Sequence, residues 1–365
     1  MCRISDICPS MSTITYLNTA ATGLVDADVR QAGIALYEAF EQSASTHAEK
    51  WRFEEESAIR QTIAAFIGAD AKNIAMLPNF SWGMNGIVQS LKGSVKKVLL
   101  YRGDYPSLLE PFKLNDFDIT WIDAADGFTM PVNEIKRLIE TKSIDIVAIS
   151  HVQWTSGYRL ELNEIGAMCQ KHGIVFIVDA TQSLGAMPIN VHETRADVFI
   201  ASNYKWMNAG FGTGIMHVTN DFLAKYPPVV GGNNSYAMVD GKWQYAPSAR
   251  SYEPGHPNMF GLNILKAAIE QKNRIGIPQI WAHNMQLTQL LLEELKHLPV
   301  TLIGGDDTAN RTSIVFLKDE NGLGEWLKQH HIVVTHRDGN LRISMHYYNT
   351  EKDIEVLVDC LRKWK

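Results

Sequence analysis

The sequence predicts an α/β protein, a mostly parallel sheet wrapped by helices, with a smaller α+β unit after it. Three observations predict this. Short runs rich in Val and Ile alternate with segments of helical apolar spacing up to Gly255. The runs are apolar throughout rather than alternating, as in strands covered on both faces. Composition shifts near Gly255, after which two long helical patterns lead into short strands and a closing helix.

In chain order the expected strands are VKKVLLY ending at Tyr101, DITWI at Asp118–Ile122 and DIVAIS at Asp145–Ser150. IVFIVDA at Ile174–Ala180, DVFIA at Asp197–Ala201 and GIMHV at Gly214–Val218 follow. NEIKRLIETK and LNEIGAMCQKHG between them carry apolar residues at helical spacing, the second closed by a Gly stop. Beyond Gly255, Asn258–Ile275 and Ile280–His297 read as helices. TSIVFL and IVVTH read as strands flanking the short helix GEWLKQHH. DGN at Asp338–Asn340 turns the chain into LRISMHYY, and EKDIEVLVDCLRKW closes it. The expected division is a large unit over 19–255 and a small one over 256–365, with residues 1–18 packing on either.

The totals narrow the function classes. A net charge of −6 over 365 residues is not the footprint of a general nucleic-acid binder. No apolar run approaches the ~20 residues of a membrane helix, and MCRISDICPSMST has no apolar core of signal-peptide length. The expectation is a cytoplasmic protein with no membrane or nucleic-acid partner. Cys2, Cys8, Cys169 and Cys360 form no CxxC pair and no zinc-like spacing with His, so no metal site is expected.

In open α/β sheets, ligands sit beyond the carboxyl ends of the strands. Three strand ends here deliver polar residues: Asp179 before ATQSLG, Ser202-Asn203-Tyr204-Lys205 after DVFIA, and His151 before VQWTSG. GFGTG after Lys205 is not a dinucleotide fingerprint, because strand-like IMHV follows where a helix is needed, and no GK[ST] makes it a P-loop. The combination of Asp179, Gln182, Ser202 and Lys205 matches one chemistry. Pyridoxal 5'-phosphate (PLP) needs a Schiff-base lysine, a carboxylate beside its pyridine nitrogen, and small donors around its phosphate.

The segment VDATQSLGAMPINVHETRADVFIASNYKWMNAGFGTGIMHV resembles the core of the class V aminotransferase family of fold-type I PLP enzymes, which includes cysteine desulfurases and kynureninases. YKWMNAG is closest to the kynureninase form of the lysine segment. TYLNTAATGL resembles the family's N-terminal motif around Asn18, Ala20 and Gly23. The resemblance implies a seven-stranded-type main sheet, a homodimer with its active site at the interface, and an amino-acid substrate.

It also implies roles. Lys205 would hold the cofactor aldehyde and, once freed, act as general base; Asp179 would stabilise the protonated ring nitrogen. Gln182 would donate to the ring's phenolic oxygen, and Tyr105 in RGDYPSLLEPF would stack on the ring. Phe80 and Ser81, at a helix N-terminus, would bind phosphate with Ser202 and Tyr204. Tyr204 stands where many relatives carry histidine, and His256 where a small hydroxyl residue reaches the neighbouring subunit's phosphate. Arg342 in GNLRISMHYYNT would grip the substrate carboxylate with its planar fork. Trp154 replaces a small polar residue and would narrow the pocket or favour an aromatic substrate, unless it only packs.

Which bond breaks is less legible. Desulfurases of this kind carry a nucleophilic cysteine shortly before the carboxylate-binding arginine, and IVVTHRDGNLRIS has none. Transamination is therefore the default expectation, with a C–S or C–C lyase lacking that cysteine as the alternative. A cofactor-free scaffold is the remote one. His336 is a candidate proton donor in that region.

Overall fold

The computed structural model describes residues 14–141, 143–306 and 308–364. Seven strands build the main sheet: β1 Ile74–Leu77, β2 Lys97–Tyr101, β3 Asp118–Ile122, β4 Ile146–Ser150, β5 Val175–Asp179, β6 Val198–Ser202 and β7 Gly214–Val218. Their order across the sheet is β1-β7-β6-β5-β4-β2-β3. The five strands from β6 to β3 are mutually parallel, while β7 runs antiparallel to both β6 and β1. The sheet is mostly parallel, as expected, with a single reversed strand.

Both faces are buried, as the unbroken apolar strands require. Val147, Ile149, Phe176, Val178, Phe199 and Ala201 face one core, shared with helices Ala27–Lys50, Glu56–Ile67, Leu162–His172 and Met259–Ile275. The alternate residues Ile146, Ala148, Val175, Ile177, Val198 and Ile200 face a second core under helices Phe80–Leu91, Pro106–Leu114 and Asn220–Lys225. Two-residue side-chain alternation thus splits one apolar run between two layers.

The second sheet is small and antiparallel: β8 Ile314–Lys318, then β9 Thr335–Arg337 and β10 Asn340–Ser344, in the order β8-β10-β9. It packs on helices Ile277–Leu295, Leu323–Gln329 and Glu351–Lys363 in a third core. Near the start of the chain, Thr15–Tyr16 runs parallel to Ile332–Val333, so IVVTH is split into two short pieces instead of one strand.

Candidate active site

The carboxyl ends of β4, β5 and β6 lie side by side, Ser150 being registered with Asp179 and Asp179 with Ile200. This delivers Ser150, Asp179 and Ser202 to one edge. Beyond β6 the chain makes a tight return into β7. Asn203 N donates to Thr213 O at 3.1 Å, and Ala209 N to Asn203 O at 3.1 Å. Lys205 lies inside this return. Asn208, at φ +59°, closes the turn by donating its N–H to Lys205 O at 3.0 Å.

Lys205 is buried, at 5% exposure. Its Nζ lies 5.4 Å from the Tyr105 ring centre and 5.6 Å from that of Tyr204. Burial pushes its pKa down, and Arg342 and Arg337 push further, with Asp179 opposing them. Asp179 is driven the other way. Burial raises its pKa, as does the nearby Asp104, against the hydrogen bond from Thr181 N at 2.8 Å. A lysine freed of its proton by burial is a nucleophile and a base.

The helix Phe80–Leu91 begins at the same edge. Its N-cap is Asn79, whose Oδ1 accepts from Trp82 N at 2.9 Å, so neither Phe80 nor Ser81 is the cap. Phe80 N donates to Ser202 Oγ at 2.8 Å, which joins the hydroxyl at the end of β6 to the positive end of the helix. Ser81 is half-buried in the first turn. The Tyr204 ring stacks on Phe211 at 4.5 Å, and burial is the main cause pushing its pKa up to about 12.

The opposite wall holds Tyr105, Trp154 and Arg342. The Tyr105 and Trp154 rings meet edge to face at 5.6 Å. Arg342 donates through Nη1 to Trp154 O at 2.6 Å and through Nη2 to Thr335 Oγ1 at 3.2 Å. Its Nε is buried without a hydrogen-bond partner among the described residues. Burial, with Arg337 adding to it, brings the Arg342 pKa down to about 10.

Gln182 is tied on two sides. Its amide oxygen accepts from Trp206 Nε1 at 2.7 Å and its nitrogen donates to Ala20 O at 3.1 Å. It ties the N-terminal motif to the lysine loop, leaving one N–H for a ligand. His256 stands exposed in a cleft of about 590 Å³ lined by Trp82, Gly212, Glu253 and Asn258. His336 pairs with Asp319 at 2.7 Å on the surface. His151 is buried, its Nδ1 3.0 Å from Ser183 Oγ, and burial pushes its pKa down to about 3. It lines a different cleft, with Arg159, Asn190 and His192.

That shift gives a pH test. The unfolded chain protonates His151 near its ordinary 6.5, the folded one only near 3. Between those values the unfolded state binds the extra proton, so stability falls as pH falls. Against His151→Gln, the wild type is expected to lose about 2 kcal/mol between pH 7.5 and 5, read from urea unfolding.

Three site residues escaped the sequence reading. Asp104 is buried and accepts from Ser150 N at 2.9 Å, Ser150 Oγ at 2.5 Å and Tyr105 N at 2.7 Å, fixing Tyr105 to β4. Lys272 and His346 lie buried behind the lysine loop. Lys272 Nζ donates to Asn208 Oδ1 at 2.8 Å, and His346 Nε2 is 2.9 Å from Trp206 O. Lys272 had a signal, because it continues the apolar spacing of Leu262, Leu265 and Ile269.

Gly23 shows how closely the N-terminal motif meets this loop. Its N–H donates to Tyr204 O at 2.9 Å, and an added Cβ would fall 2.0 Å from Lys205 O. Gly23→Ala is expected to displace the lysine backbone and destabilise the fold by about 1–3 kcal/mol, measured by chemical unfolding.

The residues fit PLP: a buried lysine flanked by rings, a strand-end carboxylate, a hydroxyl at a helix N-terminus, and a buried guanidinium with an unpaired Nε. With the doubly covered seven-stranded sheet, this is the fold-type I arrangement. The aminotransferase class-V family model matches residues 15–357, and the chain belongs to that family of PLP-dependent enzymes. It is 25% identical to a probable cysteine desulfurase of Pyrococcus abyssi, over 97% of this chain and 95% of that one. Its fold matches the apo cysteine desulfurase of Thermococcus onnurineus NA1 with a TM-score of 0.89 at 23% identity, covering 99% and 96% of the two chains. It also matches the cystine C–S lyase C-DES, solved with its reaction product cysteine persulfide. There the TM-score is 0.86 at 20% identity, over 98% and 99%. Among the described residues, no helix is long and apolar enough to cross a membrane.

Proposed function

We propose that this chain binds PLP through Lys205 and acts on an α-amino acid as a C–S lyase, eliminating a group from the β carbon. The observation that carries the cofactor assignment is the buried, base-shifted Lys205 between two tyrosine rings, at the strand edge that also carries Asp179. The named relatives support cleavage over the transamination expected first, since they are desulfurases and a cystine lyase. The described cysteines, Cys169 and Cys360, are both buried in cores away from the site, so no described thiol is placed to take up sulfur. Cys2 and Cys8 lie outside the described residues.

In this reading Ser81, Ser202, Tyr204 and the first turn of Phe80–Leu91 hold the phosphate. Tyr105 would cover the ring, and Gln182 would offer its remaining N–H to the ring oxygen. When bound, the cofactor supplies an electron sink for the pair left at the substrate Cα. Asp179 would hold a proton on the pyridine nitrogen. Arg342 orients the substrate by its carboxylate. Lys205 Nζ takes the Cα proton, and Tyr105 and Trp154 exclude water above it.

A homodimer belongs to the same proposal. Trp82, Phe211, Val229 and Val230 are exposed apolar residues of the single chain, and Trp82 lines the cleft that holds His256. A partner copy would cover them and bring His256 to its phosphate; sedimentation would report a dimer. We further propose the division into 19–255 and 256–365, supported by the separate third core. Helix Met259–Ile275 bridges the two, since it packs in the first core.

The deciding experiment reconstitutes the protein with PLP and adds single amino acids, L-cysteine and L-cystine included. Pyruvate and ammonia forming while the yellow band persists supports the lyase. Loss of the band with release of a 2-oxo acid returns the assignment to transamination. No band after reconstitution removes the cofactor reading.

A further inference from the structure

We propose that the site takes an amino acid whose side chain ends in a second anionic group, received by Arg337 while Arg342 holds the α-carboxylate. The proposal rests on the reading of Arg342 above and adds the substrate class.

The hairpin of β9 and β10 carries the argument. Thr335 is registered with Arg342, and Arg337 with Asn340. Alternation then puts Thr335, Arg337, Asn340 and Arg342 on one face. His336 and Leu341 point to the other, where Leu341 enters the third core and His336 meets Asp319. Arg337 therefore shares the face that looks into the active site, which also removes His336 from proton transfer there.

A chain of aromatic contacts fixes Arg337 at the mouth. Its guanidinium lies 4.5 Å from the Trp154 ring centre. Trp154 meets Tyr105 edge to face, and Tyr105 lies beside Lys205 Nζ. The indole Nε1 of Trp154 is itself held by Gly103 O at 3.0 Å. A guanidinium stacked on an indole keeps its N–H edges outward, where a planar anion can meet them. This gives Trp154 a purpose in binding: it is the platform for a cation.

The charge count agrees. Arg337 and Arg342 both bear on Lys205, and Arg337 bears on Arg342. The nearby acids are already committed, Asp179 at the strand edge and Asp104 to Ser150 and Tyr105. Among the described residues no acid forms an ion pair with Arg337 within 4.0 Å. One carboxylate on the substrate would leave two cations facing each other. A second anion relieves that repulsion. It comes either from an acid group carried on the β-sulfur, such as a sulfinate, or from the far half of a disulfide-linked diamino diacid such as cystine.

The test uses unreactive acids and calorimetry, with and without PLP. Succinate, glutarate and suberate are compared with monocarboxylates of equal length, on wild type, Arg337→Gln and Arg342→Gln. The expected result is that one dicarboxylate binds about five- to tenfold tighter than its monocarboxylate. Arg337→Gln erases that advantage and changes monocarboxylate affinity much less than dicarboxylate affinity, while Arg342→Gln weakens both classes about equally. Preference for succinate or glutarate assigns the acid group carried on the β-sulfur. Preference for suberate, whose carboxylates are spaced as in cystine, assigns the disulfide. Equal affinity for both classes, or an advantage that survives Arg337→Gln, overturns the proposal. Failure of the cofactor reading shows separately, as absence of the yellow band on adding PLP.

Discussion

Lys205→Ala is expected to lose turnover by roughly ten-thousandfold or more and to lose the yellow band that wild type forms with PLP. Two properties set that size. The Nζ is the group proposed both to link the cofactor and to move the Cα proton, so one substitution removes two functions. Lys272, also buried, bonds to Asn208 on the far side of the loop and cannot substitute. Lys205→Arg makes the sharper control. It keeps a basic side chain of similar reach, yet a guanidinium does not give up its proton in the working pH range. Arg at this position should be as inactive as Ala. Turnover within tenfold of wild type in either variant would sink the assignment. The structural cost should be small, because the loop is held by main-chain bonds from Asn203, Asn208 and Ala209, none of which needs the lysine side chain.

Asp179→Asn is expected to cost roughly a hundred- to a thousandfold in kcat while PLP still binds. The amide is close in shape and its oxygen can keep the bond from Thr181 N. What it removes is negative charge. Burial and Asp104 make that charge hard to hold alone, which is why the carboxyl's pKa is raised. A protonated pyridine nitrogen beside it supplies the missing counter-charge, so cofactor and carboxylate stabilise each other's ionised forms. The variant should therefore show a band shifted from that of wild type, besides its slower turnover. Unchanged kcat and an unchanged band would place the pyridine nitrogen elsewhere.

Six of the seven main strands were legible because each is a compact apolar run with a helical pattern beside it. β1 was not. Its four residues IAML are too few to separate from the helix that follows, and their partner is the reversed strand β7, which sequence order does not announce. Helix Ala27–Lys50 ends in polar EQSASTHAEK and buries only Val29, Gly33 and Leu36 of its length, so its pattern is thin. In the site, Asp179, Ser202 and Lys205 were readable because strand ends are where ligands bind. Asp104 was not, since GDYP reads as an ordinary turn and only burial makes its carboxylate unusual. The role expected of Gln182 came from the resemblance, and its packing was not legible. Its bonds to Trp206 and Ala20 depend on the N-terminal motif folding over the loop, which spacing does not encode.

The reversal of β7 has a bearing on motion. Because β6 and β7 are neighbours, the segment carrying Lys205 is a short return pinned at both ends in the middle of the sheet. The bonded amides of Asn203, Asn208 and Ala209 should exchange with solvent only when the whole unit opens, making them among the last in the chain to take up deuterium. The facing arginines ride on β9 and β10, and β9 is a three-residue edge strand. The expectation is an anvil and a yielding edge: the lysine side should stay still, and the short edge strand β9 is the part expected to give when a ligand enters.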